Sequence, residues 1–325
     1  MPRQPAADQI MLSTSVVIPT YHRPAELEIA LRSILTQTRL PDELIIVDDG
    51  DLAEVPLLDP LQRAGVRCRL VRKERPGLTE SRNLAVSIAD GDLIFFFDDD
   101  VELFPDYLDE VVRVYAQDRI GRIGGVGGVI VNQKPSNTKR RLRQILDRLF
   151  LVSGNTEGKV LISGFCVDYG HTGQIPDADR DVDFLAGAAC SYRRSVFDSL
   201  RFTPGYRDAA FGEDKDFSYR VAKRWRLVLA ARARLAHFES PTMRPEPVAR
   251  GRKFITGRYL FFRDLVHHTW WDWVLFWYAC CGYLIIRLLI LAASWRRNDW
   301  DRIRGVVHGI GDILTGRLPR RAPSA

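Results

Sequence analysis

Short runs rich in apolar residues divide the first hundred positions at 15–19, 43–47, 66–71 and 92–97. Such runs are too short for core helices, and they lack the strict alternation of strands with one wet face. They predict strands buried on both sides. Helical periods lie between them. Residues 24–37 open on Pro24 and carry Leu27, Ala30, Leu31, Ile34 and Leu35 on one face, while 78–89 and 105–115 are further helices. Strands alternating with helices specify an α/β sheet of parallel strands covered on both faces. Ligands of such sheets sit beyond the carboxyl ends of the strands. The residues just beyond each run therefore carry the functional signal.

Two runs end in acids: Ile45-Ile46-Val47 leads into Asp48-Asp49-Gly50, and Phe95-Phe96-Phe97 into Asp98-Asp99-Asp100. Adjacent carboxylates repel and resist burial, so a strand that delivers several to one edge calls for a cation or donor groups there. Oxygen ligands suit Mg²⁺ or Mn²⁺, which share their coordination with substrate phosphates. The competing reading is that the acids cap the next turn. A third acidic stretch, Glu213-Asp214-Lys215-Asp216, suits a helix N-terminus. His237 stands alone, as structural histidines do. The glycines at 124, 125, 127 and 128 lack the Lys-Ser/Thr of a phosphate loop and read as a strand or turn where backbones approach closely. Five cysteines without a C-x-x-C pair support neither a disulfide framework nor a zinc cluster, and point to a reducing compartment. Residues 1–9 lack the apolar core of a secretory signal, and 1–12 are expected to be a disordered N-terminus.

A net charge of +6 asks for an anionic partner. The excess is concentrated: twelve Lys/Arg lie between Arg220 and Arg263, against Glu239 and Glu246. Trp270, Trp271, Trp273, Phe276, Trp277 and Tyr278 come next, then an apolar run to Ser294. Basic, then aromatic, then aliphatic is the order a membrane interface selects. Residues 273–294 approach the ~20 residues of a spanning helix, but Arg287 interrupts them and four arginines stand beyond it by Arg304. With both flanks favouring the cytoplasm, an in-plane or re-entrant segment fits better than a span. Residues 300–318 form an amphipathic helix that could lie on membrane or cover the core. Lys139-Arg140-Arg141-Leu142-Arg143 with Ile145, Leu146, Leu149 and Phe150 forms a second basic amphipathic segment, fit for a membrane or a lipid diphosphate, or an ordinary surface helix. No recognition motif accompanies the basic stretch, so nucleic acid is not expected as a partner.

The ordered set Val16-Val17-Ile18-Pro19-Thr20-Tyr21-His22-Arg23-Pro24, Val47-Asp48-Asp49-Gly50, Gly77 to Asn83, Phe97 to Asp100, Phe184-Leu185-Ala186-Gly187 and Gly212 to Phe217 resembles glycosyltransferase family 2. Members have the GT-A fold, a Rossmann-like nucleotide-binding mixed sheet with helices on both faces, and use nucleotide-sugar donors. The resemblance covers roughly Ser13 to Ser240 and implies a catalytic domain over 13–245, while the composition of the tail makes 246–325 a helical membrane-associating region. It places Pro19, Thr20 and Tyr21 at the base and ribose, and Asp48 or Asp49 on the base. It sets Arg82, Gly187 and Asp99 by the donor nucleotide, Asp98 nearer the ribose and also a candidate for the metal, and Asp100 on a Mn²⁺ or Mg²⁺ ion. Asp99 fills a position that is usually small, and Val101 stands where a further acid is common. The resemblance makes Asp214 the general base, with Glu213 the lesser candidate, and His237 a further metal or diphosphate contact.

One base without a second nucleophile implies direct displacement with inversion. The expected reaction moves sugar from a UDP-sugar, in preference to dTDP- or GDP-sugars, to a saccharide or lipid-linked acceptor. Cell-envelope or polysaccharide synthesis at the cytoplasmic membrane face is the expected setting. The alternatives are a membrane-anchored nucleotide-sugar binder without transfer, or a phosphatase or nucleotidyltransferase using Asp98–Asp100. Nothing in the sequence sets an oligomeric state.

Overall fold

A computed structural model describes residues 12–132, 138–170, 175–204, 212–238 and 246–318, except Ala53 and Pro56, with backbone alone at 138–141. The N-terminal segment 1–12 therefore lies outside it but for Leu12. The expected boundary at 245/246 lies beside the undescribed stretch 239–245.

The four apolar runs are β1 (Thr14–Thr20), β2 (Glu43–Asp48), β3 (Arg67–Arg72) and β4 (Leu93–Phe97). They are joined by α1 (Pro24–Leu35), α2 (Leu58–Arg63) and α3 (Leu78–Ile88). Next come β5 (Val101–Leu103), α4 (Tyr107–Gln117), β6 (Ile123–Ile130), α5 (Thr138–Leu149), β7 (Arg180–Val182), β8 (Ala189–Arg193), α6 (Glu213–Ala222) and β9 (Arg226–His237). The strands form one mixed sheet in the order β3-β2-β1-β4-β8-β6-β9-β5, with β7 also on β9. β1 to β4 run parallel, and β8 reverses against both β4 and β6.

Each face of the sheet is covered, as continuously apolar strands require. Leu27 and Leu31 of α1 and Leu108 and Val111 of α4 pack on one face, Ala85 of α3 and Phe217 and Val221 of α6 on the other. The glycine cluster is the strand β6. A Cβ on Gly124 would come within 2.6 Å of the Trp225 side chain, and one on Gly125 within 2.8 Å of Tyr192. The close approach expected there is what the fold requires.

Three long helices follow among the described residues: α7 (Pro247–Phe261), α8 (Trp270–Ser294) and α9 (Arg297–Leu314), with a π-helical turn over Phe262–Val266. Asp272 opens α8, accepting from the backbone N–H groups of His268 and Thr269 at 2.7 and 2.8 Å. This capping box satisfies donors that a helix end leaves open. Gly251, Gly305 and Gly309 bring α7 and α9 into backbone contact. Together with α8 they enclose a third apolar cluster, which also takes in Phe165 and Phe184 from the sheet side.

The apolar groups assigned to membrane are thus divided. In α9, Ile303, Val306 and Ile313 are buried within the protein, while Trp300, Val307 and Leu314 stay exposed. Phe276 lies in the core, stacked on Phe262 at 4.7 Å. Cations of the basic stretch are also engaged by the protein itself: Arg220 with Asp216, Lys223 with the Leu265 carbonyl, Arg226 with Asp181, Arg232 with Glu110, Arg252 with Asp312, Arg258 with Cys166 and Arg263 with Asp264. The outer face of α8 keeps Trp270, Trp271, Val274, Tyr278, Ile285, Leu288 and Leu289 exposed. That helix alone among the described residues is long and apolar enough to cross a membrane.

Candidate active site

Strand register brings the acids of one loop to a histidine far along the chain. Asp98, Asp99 and Asp100 link β4 to β5, and β5 pairs antiparallel with the end of β9, setting Val101 opposite His237. His237 Nε2 lies 3.1 Å from Asp100 Oδ1 and 3.9 Å from Asp98 Oδ2. The ligand atoms of Asp98, Asp100 and His237 fall within 4.8 Å of one another. Two carboxylates and an imidazole are a donor set for a divalent cation, the carboxylates suiting Mn²⁺ or Mg²⁺ and the imidazole favouring a transition metal such as Mn²⁺ over Mg²⁺. Burial pushes the Asp98 carboxyl up, against the pull of Arg82 and His237.

Arg82, on α3, is the hub of the site. It is 1% exposed, with Nη2 3.4 Å from Asp98 and 3.1 Å from the Gly187 carbonyl, and Nη1 3.6 Å from Glu213. Burial opposes its charge, yet Asp98 and Glu213 hold the guanidinium above its usual range. Its Nε and Nη1 have no hydrogen-bond partner among the described residues. A buried cation with donors to spare is suited to an anion.

Glu213 and Asp214 begin α6, where the helix dipole favours negative charge. Gly212 precedes them at φ +116°, a left-handed conformation that asks for glycine. Asp214 accepts from the backbone N–H of Gly187 at 3.0 Å and of Lys215 at 2.8 Å. Burial, then Asp214, raises the Glu213 pKa, with Arg82 opposing. Asp216 is structural instead, held by Thr203 and Arg220. Gly187 is a spacer: a Cβ there would lie 3.0 Å from Asp214 and 3.2 Å from Arg82.

The other expected donor contacts sit differently. Pro19 is inside β1, in register with Val47, rather than on the rim. Thr20 donates its hydroxyl to Asp99 at 2.8 Å, and burial raises Asp99 to about 6. That pair clamps the end of β1 to the end of β4. Asp48 closes its own turn, accepting from Gly50 and Leu52 at 2.8 and 2.9 Å. Asp49 accepts from Gly77 and Ser81 and meets Lys73 at 3.1 Å. Tyr21 remains at the rim, its ring 4.2 Å from His22.

Sequence reasoning passed over three residues. Arg23 reaches Asp99 at 3.1 Å and Asp100 at 3.7 Å. His22, at φ +53°, meets Asp51 at 2.7 Å beside a cavity of about 530 Å³. Lys215 Nζ is 2.6 Å from Asp168. The first two lie in the stretch just after β1, the place to search for them; no sequence signal tied Lys215 to Asp168.

A mixed sheet that gathers strand-end carboxylates, a histidine and the acids of a helix N-terminus along one edge defines a GT-A-type protein. The Glycosyl transferase family 2 model matches residues 15–201, more than half of the chain, and the protein belongs to that family. An uncharacterized glycosyltransferase of Haemophilus influenzae is 34% identical over 104 residues, 32% of this chain and 34% of that protein. The O-antigen biosynthesis protein RfbC of Myxococcus xanthus is 28% identical over 243 residues, 72% of this chain and 18% of RfbC. The chain thus matches about a third or less of these relatives' lengths. Among solved structures, S. aureus TarS 1-349 in complex with UDP-GlcNAc gives a TM-score of 0.57 at 13% identity, covering 95% of this chain and 82% of that one. Mannosyltransferase PcManGT from Pyrobaculum calidifontis, in complex with GDP-Man and Mn²⁺, gives 0.55 at 14% identity, covering 93% and 88%. These likenesses establish the GT-A fold.

Proposed function

We propose that the protein is an inverting, metal-dependent glycosyltransferase that moves a sugar from a nucleotide-sugar donor, preferably a UDP-sugar, to a hydroxyl of a saccharide or lipid-linked acceptor. The observation that carries this reading is the convergence of Asp98, Asp100 and His237 within 4.8 Å, with Arg82 joining Asp98 to Glu213 and Asp214 nearby on α6. Asp98, Asp100 and His237 would hold the divalent cation, which when bound neutralises charge developing on the diphosphate. Arg82 offers its Nε and Nη1 donors, which lack hydrogen-bond partners among the described residues, to the same anion. Asp214, oriented by Gly187 and Lys215, removes the proton from the acceptor hydroxyl as that oxygen attacks the anomeric carbon. The nucleoside diphosphate leaves from the opposite face, so the configuration inverts.

The reading places the enzyme at the cytoplasmic face of a membrane, with residues 13–245 carrying the chemistry and 246–325 the attachment. An α8 buried on one face and apolar on the other supports an in-plane helix. The test is a panel of UDP-, GDP- and dTDP-sugars scored for nucleotide release with Mn²⁺ or Mg²⁺ and membrane extract. Release that needs neither cation nor Asp214 would overturn the reading.

A further inference from the structure

Among the described residues two guanidinium groups meet the three carboxylates between β4 and β5, and they are held differently. Arg82 is locked. It is 1% exposed, its Nη2 donates to the Gly187 carbonyl at 3.1 Å, and its guanidinium lies over the Phe202 ring at 5.4 Å. Arg23 has a side chain 20% exposed and enters from the turn between β1 and α1. The backbone of that turn is fixed. His22 holds φ +53°, the Arg23 carbonyl accepts from the Leu27 N–H at 3.0 Å, and Pro24 starts α1. Movement at this turn therefore belongs to the Arg23 side chain.

Asp99 and Asp100 both hold that side chain, by different means. The oxygens of Asp99 are taken by the protein, Oδ2 by the Thr20 hydroxyl at 2.8 Å and Oδ1 by Arg23 Nη1 at 3.1 Å. Asp100 has Oδ1 3.1 Å from His237 Nε2 and Oδ2 3.7 Å from the same Arg23 nitrogen. The contact with Asp99 is a hydrogen bond; the longer one with Asp100 is attraction between charges. A guanidinium has five donors, so Arg23 can turn from Asp100 without giving up Asp99.

The contact with Asp100 works against a metal ion. Asp100 is one of the three candidate ligands that converge within 4.8 Å. A divalent cation there would stand beside a positive charge that no loss of a proton removes, and the repulsion is large in a partly buried site. A diphosphate reverses the balance. It shares the coordination of the cation, and its oxygens are strong acceptors for a guanidinium.

We infer that Arg23 couples cation binding to donor binding: its guanidinium competes with a bare divalent cation for Asp100, and the diphosphate of the incoming donor draws it away. The inference rests on the transferase reading and adds a rule of assembly to it. Cation and nucleotide bind better together than the direct contact between them accounts for, and each strengthens the other by the same factor.

The test uses the full chain in detergent, with Mn²⁺ and UDP as probes and free Mn²⁺ read by electron paramagnetic resonance. Arg23→Gln and Arg23→Met remove the like charge and should bind Mn²⁺ alone at least tenfold more tightly than the wild type. The gain in Mn²⁺ affinity on adding UDP should shrink at least tenfold in both. Arg23→Lys keeps the charge and should bind Mn²⁺ alone as weakly as the wild type. A residue that merely held the acids in place would give the opposite sign, with weaker Mn²⁺ binding in the neutral variants. Unchanged or weaker Mn²⁺ affinity in both neutral variants would therefore overturn the inference, as would a lysine variant that binds Mn²⁺ as tightly as they do. A wild-type chain that binds no Mn²⁺ even with UDP present would instead sink the metal-dependent transferase reading.

Discussion

At the residue scale the sharpest division is between acids that the proposed reaction would use and acids that hold the fold. Asp214 and Asp216 share the first turn of α6, yet Asp216 is tied to Thr203 and Arg220 while Asp214 is aimed at the Gly187 loop. Asp214→Asn keeps the size but gives up one of two backbone hydrogen bonds, a loss of about 1 kcal/mol in stability. Loss of a general base is far larger, about 10²–10⁴-fold in rate, or roughly 3–5 kcal/mol of barrier. Transfer by that variant should collapse while nucleotide binding persists in calorimetry. Near wild-type transfer, with Glu213→Gln inactive instead, would move the base by one residue. Asp100→Asn should weaken nucleotide binding in the presence of Mn²⁺ and flatten its dependence on the cation. Unchanged cation dependence would remove Asp100 from the metal site.

At the scale of elements, glycine sets how closely helices and strands meet. A Cβ on Gly309 would lie 3.0 Å from the Arg252 carbonyl, and Gly251 and Gly305 are tighter still, each against backbone that cannot rotate away. Gly305→Val should therefore force α9 off α7 and cost about 1–3 kcal/mol, read as a lower denaturant midpoint. Nucleotide binding at low denaturant should remain, because neither helix supplies a residue of the carboxylate and Arg82 cluster. An unchanged midpoint would mean that the helices slide past one another without strain. The same packing accounts for α9: half its apolar stripe is consumed by its neighbours, leaving α8 as the more apolar outer surface.

For the whole molecule, the third apolar cluster joins the C-terminal helices to Phe165 and Phe184 of the sheet side. Arg258 reaches Cys166 across the same junction, and Lys223 Nζ bonds the Leu265 carbonyl at 2.7 Å. A chain ending at residue 245 would expose those aromatics, so it should be poorly soluble and lose thermal stability. If it remains soluble and binds nucleotide as tightly as the full chain, the two regions are independent. Attachment to membrane should resist salt, because apolar burial is unscreened whereas each surface cation contributes only ~1 kcal/mol. Detergent should release the protein; release by salt alone would assign attachment to charge rather than to α8.

The strand-helix alternation was legible because continuous apolar runs have few other uses, and the acids after β2 and β4 were found through the rule that ligands sit at strand ends. Asp98 and Asp100 were readable as candidates for that reason, whereas Asp214, at a helix N-terminus, was singled out only by its resemblance to the family motif. The resemblance named His237, Arg82 and Gly187 as companions, but the contacts that join them to those acids were not readable. His237 meets Asp100 through the register of β5 on β9, across more than a hundred residues, and no local pattern encodes that pairing. Asp48, Asp49 and Asp99 looked equivalent to the site acids, and the folded chain alone assigned them to Gly50, Ser81 and Thr20. Hydropathy likewise counts how many apolar groups the tail carries without saying which face meets protein. That choice was made by the glycines that let α7 and α9 touch, because burial depends on what lies opposite a side chain as much as on the side chain.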